Sequence, residues 1–100
     1  MSFQITQDAD RSTVFLTGEI DLERSPAARK TLLEAVKRGK PVSVDLSGVS
    51  YMDSSGIASL IEAYQKAQAA KLEFTLERVG ASVAKVLSLA RLDKVFTIRS

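Results

Sequence analysis

The residues that could do chemistry in this chain lie in two short segments. Asp53-Ser-Ser-Gly56 combines a carboxylate with two hydroxyl groups, and Gly18-Glu-Ile-Asp21 supplies further acids. A pair of carboxylates can act as acid and base or hold Mg²⁺, and a serine can act as a nucleophile or accept a phosphate. These two segments are therefore the candidates for a functional site.

Most catalytic mechanisms are excluded by composition. The 100 residues include no histidine and no cysteine. Ser54 and Ser55 therefore have no imidazole base, and neither lies in a Gly-x-Ser-x-Gly elbow. Thiolate nucleophiles, disulfides and His- or Cys-based metal sites are absent from the sequence, as is a glycine-rich phosphate-binding loop. We expect a protein that is not an enzyme, with no catalytic residues, no cofactor and no metal.

The same segments have simpler structural interpretations. Asp and Ser are strong N-cap residues, each worth about 1 kcal/mol, so Asp53-Ser-Ser-Gly56 could simply begin a helix. Gly18-Glu-Ile-Asp21 could be a turn with an acid that leads into a helix. On pattern alone, these explanations are the more frequent ones.

Hydrophobic periodicity predicts the elements that hold these segments. Alternating apolar residues predict strands at 3–5, 13–17, 42–46 and 72–76. Helices are predicted to begin at Ser25-Pro26, with Ser25 as the N-cap, at Asp53-Ser-Ser-Gly56 and at Gly80-Ala-Ser82. Gly39 is expected to take the left-handed conformation that ends the first helix. Residues 95–98 are either a last strand or an extended tail.

The element order β-β-α-β-α-β-α(-β) predicts a small α/β sandwich, with residues 1–100 as a single domain. Right-handed crossovers make strands two to four parallel, and the first strand pairs antiparallel in a hairpin. The result is a mixed, mostly parallel sheet with helices covering one face. Because loops that leave parallel strands share one edge, we expect Asp21 to approach Asp53 and Ser54.

Bulk properties argue against nucleic acid and membrane partners. The net charge is only +2, and the densest basic cluster, Lys37-Arg38-Gly39-Lys40, falls at a predicted helix end, where cations suit the macrodipole. The first residues do not resemble a signal peptide, and no apolar stretch approaches the ~18–20 residues of a membrane span. We expect a cytoplasmic protein without membrane insertion. The sequence does not specify the oligomeric state, and we take a monomer as the expectation.

Tyr64 and the phenylalanines are interpreted as core packing.

The segment from Val44 to Ile57, preceded by Gly18-Glu-Ile-Asp21, resembles the STAS-domain family of the anti-sigma factor antagonist type. The resemblance covers essentially the whole chain, including an ending like 89–96. It implies that Ser54, the first serine of the motif, is the phosphoacceptor. The residues that it implies around the phosphosite and in partner binding are Asp21, Asp53, Ser55, Gly56 and Ile57.

The resemblance implies a partner-switching regulator. The unphosphorylated form would bind a serine-kinase anti-sigma factor, phosphorylation of Ser54 would release it, and a phosphatase would reset it. STAS domains also occur as accessory or regulatory subunits of transporters, for example lipid ABC systems, so a permease or ATPase is the alternative partner. A phosphate at the start of a helix would meet backbone N–H groups, so we expect the fold to tolerate it.

Overall fold

In the computed structural model, which describes residues 3–99, one five-stranded sheet is combined with three helices. The strands are β1 Gln4–Gln7, β2 Ser12–Ile20, β3 Val42–Met52, β4 Phe74–Glu77 and β5 Thr97–Arg99. The helices are α1 Ser25–Lys37, α2 Ser54–Ala69 and α3 Ala81–Leu89. The sheet order is β1-β2-β3-β4-β5; β1 is antiparallel to β2, and the other neighbours are parallel. The predicted order is confirmed, and the C-terminal segment that the sequence left open forms a strand.

The helices and the inward side of the sheet share one hydrophobic core. Val14, Val44 and Leu76 lie side by side on β2, β3 and β4, and all three are fully buried. Leu60 of α2 and Leu87 of α3 belong to the same buried cluster. Alternation along the strands therefore directs apolar side chains to the helices, as predicted. None of the helices described is both long and apolar enough to cross a bilayer.

Strand β3 is longer than predicted. The apolar alternation stops at Leu46 and predicts a loop from there to Asp53. Instead the strand continues to Met52, which pairs with Ile20 at the end of β2. The pairing shifts register twice on the way, and Gly18, next to the second shift, has φ +79°. Backbone hydrogen bonding thus continues where the side-chain pattern stops, which the pattern alone does not reveal.

The start of α1 also differs from the prediction. Ser25 is the first helical residue and Arg24 holds the N-cap position, with no capping side chain of its own. Asp21 supplies the missing acceptors. Its carboxylate accepts from the backbone N–H groups of Glu23 and Arg24, and its carbonyl accepts from Ser25 N–H at 2.8 Å. The hydrogen bonds accepted by Asp21 therefore take the place of the predicted Ser25 cap at the start of α1. At the other end, Gly39 has φ +76°, as predicted.

Three aromatic rings close the core beside β4. Tyr64 of α2 meets Phe74 and Phe96 edge-on, with centroid separations of 6.0 and 5.2 Å. Phe96 lies in the segment before β5, so the cluster joins α2 and β4 to the end of the chain. The interpretation as core packing is confirmed for these three rings, but it is wrong for Phe15, which alternates with the buried Val14 and Leu16 and lies outside the core cluster.

The strand positions that alternate with the core carry polar side chains, except for the half-buried Phe15 of β2. Asp45 is the most buried acid there, with 5% of its side chain exposed, and it accepts from Arg78 Nη1 at 3.0 Å and Ser47 N–H at 2.9 Å. Burial raises the pKa of Asp45, but hydrogen bonds from Ser47 and the charge of Arg78 outweigh it, so the pKa lies below its usual 3.8. The charged form of Asp45 therefore stabilises the fold.

Replacing Asp45 with Asn is expected to lower the free energy of unfolding at pH 7 by about 1–3 kcal/mol, because a charged hydrogen-bond acceptor is lost. A lowered folded-state pKa contributes stability above the unfolded pKa that disappears as pH falls through the folded one. The difference between wild-type and D45N stabilities, measured by urea unfolding, should therefore begin to shrink as the pH falls below about 4 and vanish only below the folded-state pKa of Asp45. Asp93→Asn, at an exposed turn position after α3, is the control. Equal stability of D45N and wild type at pH 7 would contradict this account.

Candidate functional site

The ends of β2 and β3 bring the two sequence segments together. Ile20 and Met52 are register partners, and Asp53 N–H donates to the carbonyl of Ile20 at 3.3 Å. Asp21 and Asp53 are the next residues on each chain segment, and Ser54 follows at the start of α2. The structure thus has Asp21, Asp53 and Ser54 on the shared edge where the parallel topology predicts them.

Asp53 begins α2 with its own side chain. Its Oδ1 accepts from Ser55 N–H at 2.8 Å and from Gly56 N–H at 3.3 Å, and its carbonyl accepts from Ile57 N–H at 3.0 Å. The helix-cap interpretation is therefore correct for Asp53. This changes one expectation: the N–H groups of Ser55 and Gly56, which a phosphate would otherwise meet, already bind the Asp53 carboxylate.

The four residues that follow Asp53 differ in exposure. Ser54 is exposed, Ser55 is half-buried, and Gly56 and Ile57 are buried. Of the two hydroxyl groups, that of Ser54 is the more open to an approaching enzyme or partner. Ile57 packs in the hydrophobic core, so any influence on a partner passes through the position of α2. The roles that the family resemblance implies for these residues stay predictions.

Gly56 lies where the start of α2 touches the ends of both strands. A Cβ at this position would lie 2.6 Å from Met52 Cγ and 2.9 Å from both the carbonyl oxygen and Cγ2 of Ile20. The side chain of Met52 could move, but the Ile20 carbonyl is part of a paired strand. Only glycine therefore lets α2 begin this close to β2, which holds Ser54 beside the loop of Asp21.

The loop of Asp21 is fixed by its own hydrogen bonds. The Asp21 carboxylate accepts from Glu23 N–H at 3.1 Å and Arg24 N–H at 3.0 Å. Arg24 folds back onto β2, where its Nη2 donates to the Thr17 carbonyl at 3.2 Å. Both acids of the site are thus held at defined positions by backbone donors.

Two exposed apolar side chains at this edge were missed by the sequence analysis. Leu22, directly after Asp21, is 76% exposed, and Tyr51, two residues before Asp53, is 48% exposed. Tyr51 pairs with Glu19 at the end of the sheet. Single exposed apolar side chains are common on protein surfaces, as Leu89 shows at 77% exposure, so it is the position of Leu22 and Tyr51 next to the candidate site that makes them candidates for partner contact. Their exposure depends on the lengthened β3 and on the turn before α1, which the hydrophobic pattern did not predict.

A cleft of about 410 Å³ opens between the first turns of α1 and α2. Across this cleft, Arg29 forms a bidentate ion pair with Glu62: its Nε donates to Oε1 at 2.7 Å and its Nη2 donates to Oε2 at 2.6 Å. These hydrogen bonds lower the pKa of Glu62. The hydroxyl of Ser59, which also lines the cleft, lies 3.3 Å from the carbonyl oxygen of Ser25 and 3.2 Å from that of Ser55, and it donates to one or the other. The two helices are therefore tied together directly beside the site. Among residues 3–99, no group of three or more acids is placed to hold a metal ion.

Comparison with known proteins identifies the class that this fold and site define. The family model described as "Mlab, STAS domain" matches residues 3–99. The chain therefore belongs to the STAS-domain family, and the resemblance read from the sequence is confirmed.

Relatives within this family are named for one kind of regulation. The anti-sigma-B factor antagonist of Listeria monocytogenes is 27% identical over 95 residues, which cover 94% of this chain and 83% of the relative. The crystal structure of an anti-sigma factor antagonist from Mycobacterium paratuberculosis is 26% identical, has a TM-score of 0.85 and covers 98% of this chain and 84% of that one. The chain is thus homologous to proteins that are named anti-sigma factor antagonists.

The fold also matches that of a protein whose structure was determined in its phosphorylated form. The phosphorylated form of the Bacillus cell fate determinant SpoIIAA has a TM-score of 0.75 at 20% identity, covering 99% of this chain and 92% of that one. At this identity, the likeness concerns the fold alone.

Substituting Gly56 with Ala is expected to lower the free energy of unfolding by about 1–3 kcal/mol, because the new methyl group overlaps the Ile20 backbone. Gly80→Ala is the matched control, since a methyl group at this position, at the start of α3, would meet nothing within 4 Å. There the poorer cap and the stiffer unfolded chain offset each other to within about 0.5 kcal/mol. Thermal or urea unfolding of both variants gives the comparison, and similar losses for the two would refute the close approach at Gly56.

Proposed function

We propose that this protein is an anti-sigma factor antagonist that works by partner switching in the cytoplasm. Its unphosphorylated form binds a serine-kinase anti-sigma factor, the kinase phosphorylates Ser54, and a phosphatase restores the binding form. The observation that carries the proposal is the exposed Ser54 at the first position of α2, flanked by the fixed carboxylates of Asp21 and Asp53.

The contact surface of the unmodified protein would combine apolar and acidic groups. Leu22 and Tyr51 offer apolar area close to Ser54, and neither is needed to fill the core. Asp21 and Asp53 supply the acidic groups of this surface. Because backbone donors already hold both acids, binding would require little ordering of this surface, which favours affinity.

Phosphorylation would change the surface more than the fold. A phosphate adds about −1.5 to −2 charges beside two carboxylates, and Asp53 keeps the N–H groups that could have drawn it inward. If one acid of the partner faced the phosphate at ~6 Å, an effective dielectric of ~20 gives roughly 2–3 kcal/mol of repulsion per charge pair. About 2.8 kcal/mol corresponds to a hundredfold loss of affinity, so one phosphate is sufficient for release.

The relatives support this reading by name and by fold. The Listeria relative is named as an antagonist of an anti-sigma factor, and SpoIIAA carries its phosphate on the same fold. The β2 and β3 ends that carry Asp21 and Ser54 lie within the region covered by both alignments, which span more than nine-tenths of this chain.

Replacing Ser54 tests the switch directly. The kinase partner is first isolated by co-purification with the tagged protein, and its affinity is then measured by calorimetry for wild type, Ser54→Ala and Ser54→Asp. We expect Ser54→Ala to bind like wild type but to take up no phosphate from ATP. Ser54→Asp should stay folded and bind at least about tenfold more weakly, because it adds part of the phosphate charge.

The neighbouring hydroxyl provides the control. Ser55→Ala keeps Ser54 and should still be phosphorylated, which mass spectrometry of the product peptide can show. Equal affinity of wild type, Ser54→Ala and Ser54→Asp for the kinase would contradict the proposed switch. Co-purification of a permease and ATPase without a kinase would instead favour the transporter-subunit alternative.

A second test concerns the apolar part of the surface. Leu22→Asp should leave the melting temperature close to that of wild type, because the side chain is 76% exposed. It should nonetheless weaken binding of the kinase by about tenfold or more, as expected for an apolar contact residue. Leu89→Asp is the matched control, since Leu89 is 77% exposed at the far end of α3. Similar effects of the two substitutions on affinity would remove Leu22 from the interface.

A further inference from the structure

A second surface feature lies at the opposite end of the helices. A groove of about 440 Å³ runs between the last turns of α1 and α2. Its lining consists of Leu33, Val36, Lys37, Gly39, Lys66 and Ala70. Leu33 and Val36 form an apolar wall that continues into the core, and a lysine from each helix borders it. The groove lining therefore combines an apolar wall with two cations and no acid.

The two lysines form no ion pair within the described part of the chain. Within residues 3–99, no carboxylate oxygen lies within 4.0 Å of Lys37 or Lys66. The acid one turn before Lys66 is Glu62; Arg29 binds both of its oxygens, and the charge of Lys66 adds to that of Arg29 in lowering the pKa of Glu62. Cations in a last helical turn offset the macrodipole without any partner. The macrodipole effect does not require an apolar wall between the two lysines. That wall is a surface that a partner could cover.

The groove is separate from the site at Ser54. Gly39 precedes β3 and Ser54 follows it, so the 11 residues of β3 lie between the two surfaces. Ser54 is the first residue of α2 and Lys66 is the thirteenth, so at ~1.5 Å per residue they are roughly 18 Å apart along the helix. The two surfaces therefore lie towards opposite ends of α2.

We propose that the groove between α1 and α2 is a docking site for an acidic amphipathic helix of a partner protein. An apolar stripe of such a helix would cover Leu33 and Val36, and acids beside the stripe would face Lys37 and Lys66. A helix laid into an apolar groove is a recurrent mode of peptide recognition, and the paired lysines give this groove a preference for acidic flanks. The proposal does not depend on Ser54 or on the switch proposed above.

A synthetic peptide tests the chemistry. We would use a fluorescent helical peptide of about 15 residues with Leu at i, i+3, i+4 and i+7 and Glu on the flanking positions. A matched peptide carries Gln for every Glu. Fluorescence anisotropy with unphosphorylated wild-type protein should show tighter binding of the Glu peptide. Amide shifts in an NMR titration should be concentrated at residues 33–39 and 66–70.

Reversing the charge of both groove lysines tests their part in peptide binding. In the double variant Lys37→Glu with Lys66→Glu, the dissociation constant of the Glu peptide should rise about tenfold or more, because two attractions become repulsions. Lys85→Glu reverses an exposed lysine of α3 and should change it by less than about twofold. Melting temperatures of both variants confirm that they are folded.

Three results would overturn the proposal. The first is equal binding of the Glu peptide by wild type and the double variant, and the second is amide shifts confined to the Ser54 end. The third is no binding of the peptide while vesicles of anionic phosphatidylglycerol bind in a manner lost in the double variant. That outcome would assign the groove to a membrane surface instead.

Discussion

The arrangement of this protein depends on one close approach, that of Gly56 in α2 to the backbone of Ile20 at the end of β2. The missing side chain lets the first turn of α2 lie against the strand, and Asp53 N–H closes the contact on the Ile20 carbonyl. Because the partner atom belongs to the main chain, its position follows from the pairing of β2 with β3. The turn of Asp21 and the start of α2 are thereby in direct contact through Ile20.

At this edge, structural and electrostatic roles coincide in the same residues. Asp53 caps α2, and Asp21 supplies the acceptors for the turn that leads into α1. An acid that is bound by backbone N–H groups cannot turn away from a neighbour that gains charge. A substitution of either acid will therefore change both the stability of a helix start and the potential around Ser54. Measurements on Ser54 itself separate the two effects, since its exposed side chain carries neither cap.

Sequence patterns predicted what depends on local periodicity and on cap residues. The order of the elements, the parallel strands, the left-handed Gly39 and the cap at Asp53 all follow from residue types a few positions apart. The length of β3 did not, because its backbone stays paired where Ser47 and Gly48 end the apolar alternation. The exposure of Leu22 and Tyr51 is likewise a tertiary property, set by how far two paired strands extend. The lysine-bordered groove joins residues on two helices, and no single segment indicates it.

The separation of the two surfaces along α2 has a consequence for regulation. A phosphate on Ser54 would lie roughly 18 Å from Lys66, about twice the Debye length of ~8 Å at physiological salt. Most of its charge is therefore screened before it reaches the groove. A helix docked in the groove would then stay bound while the partner at Ser54 is exchanged, so one small domain could hold one protein and switch another.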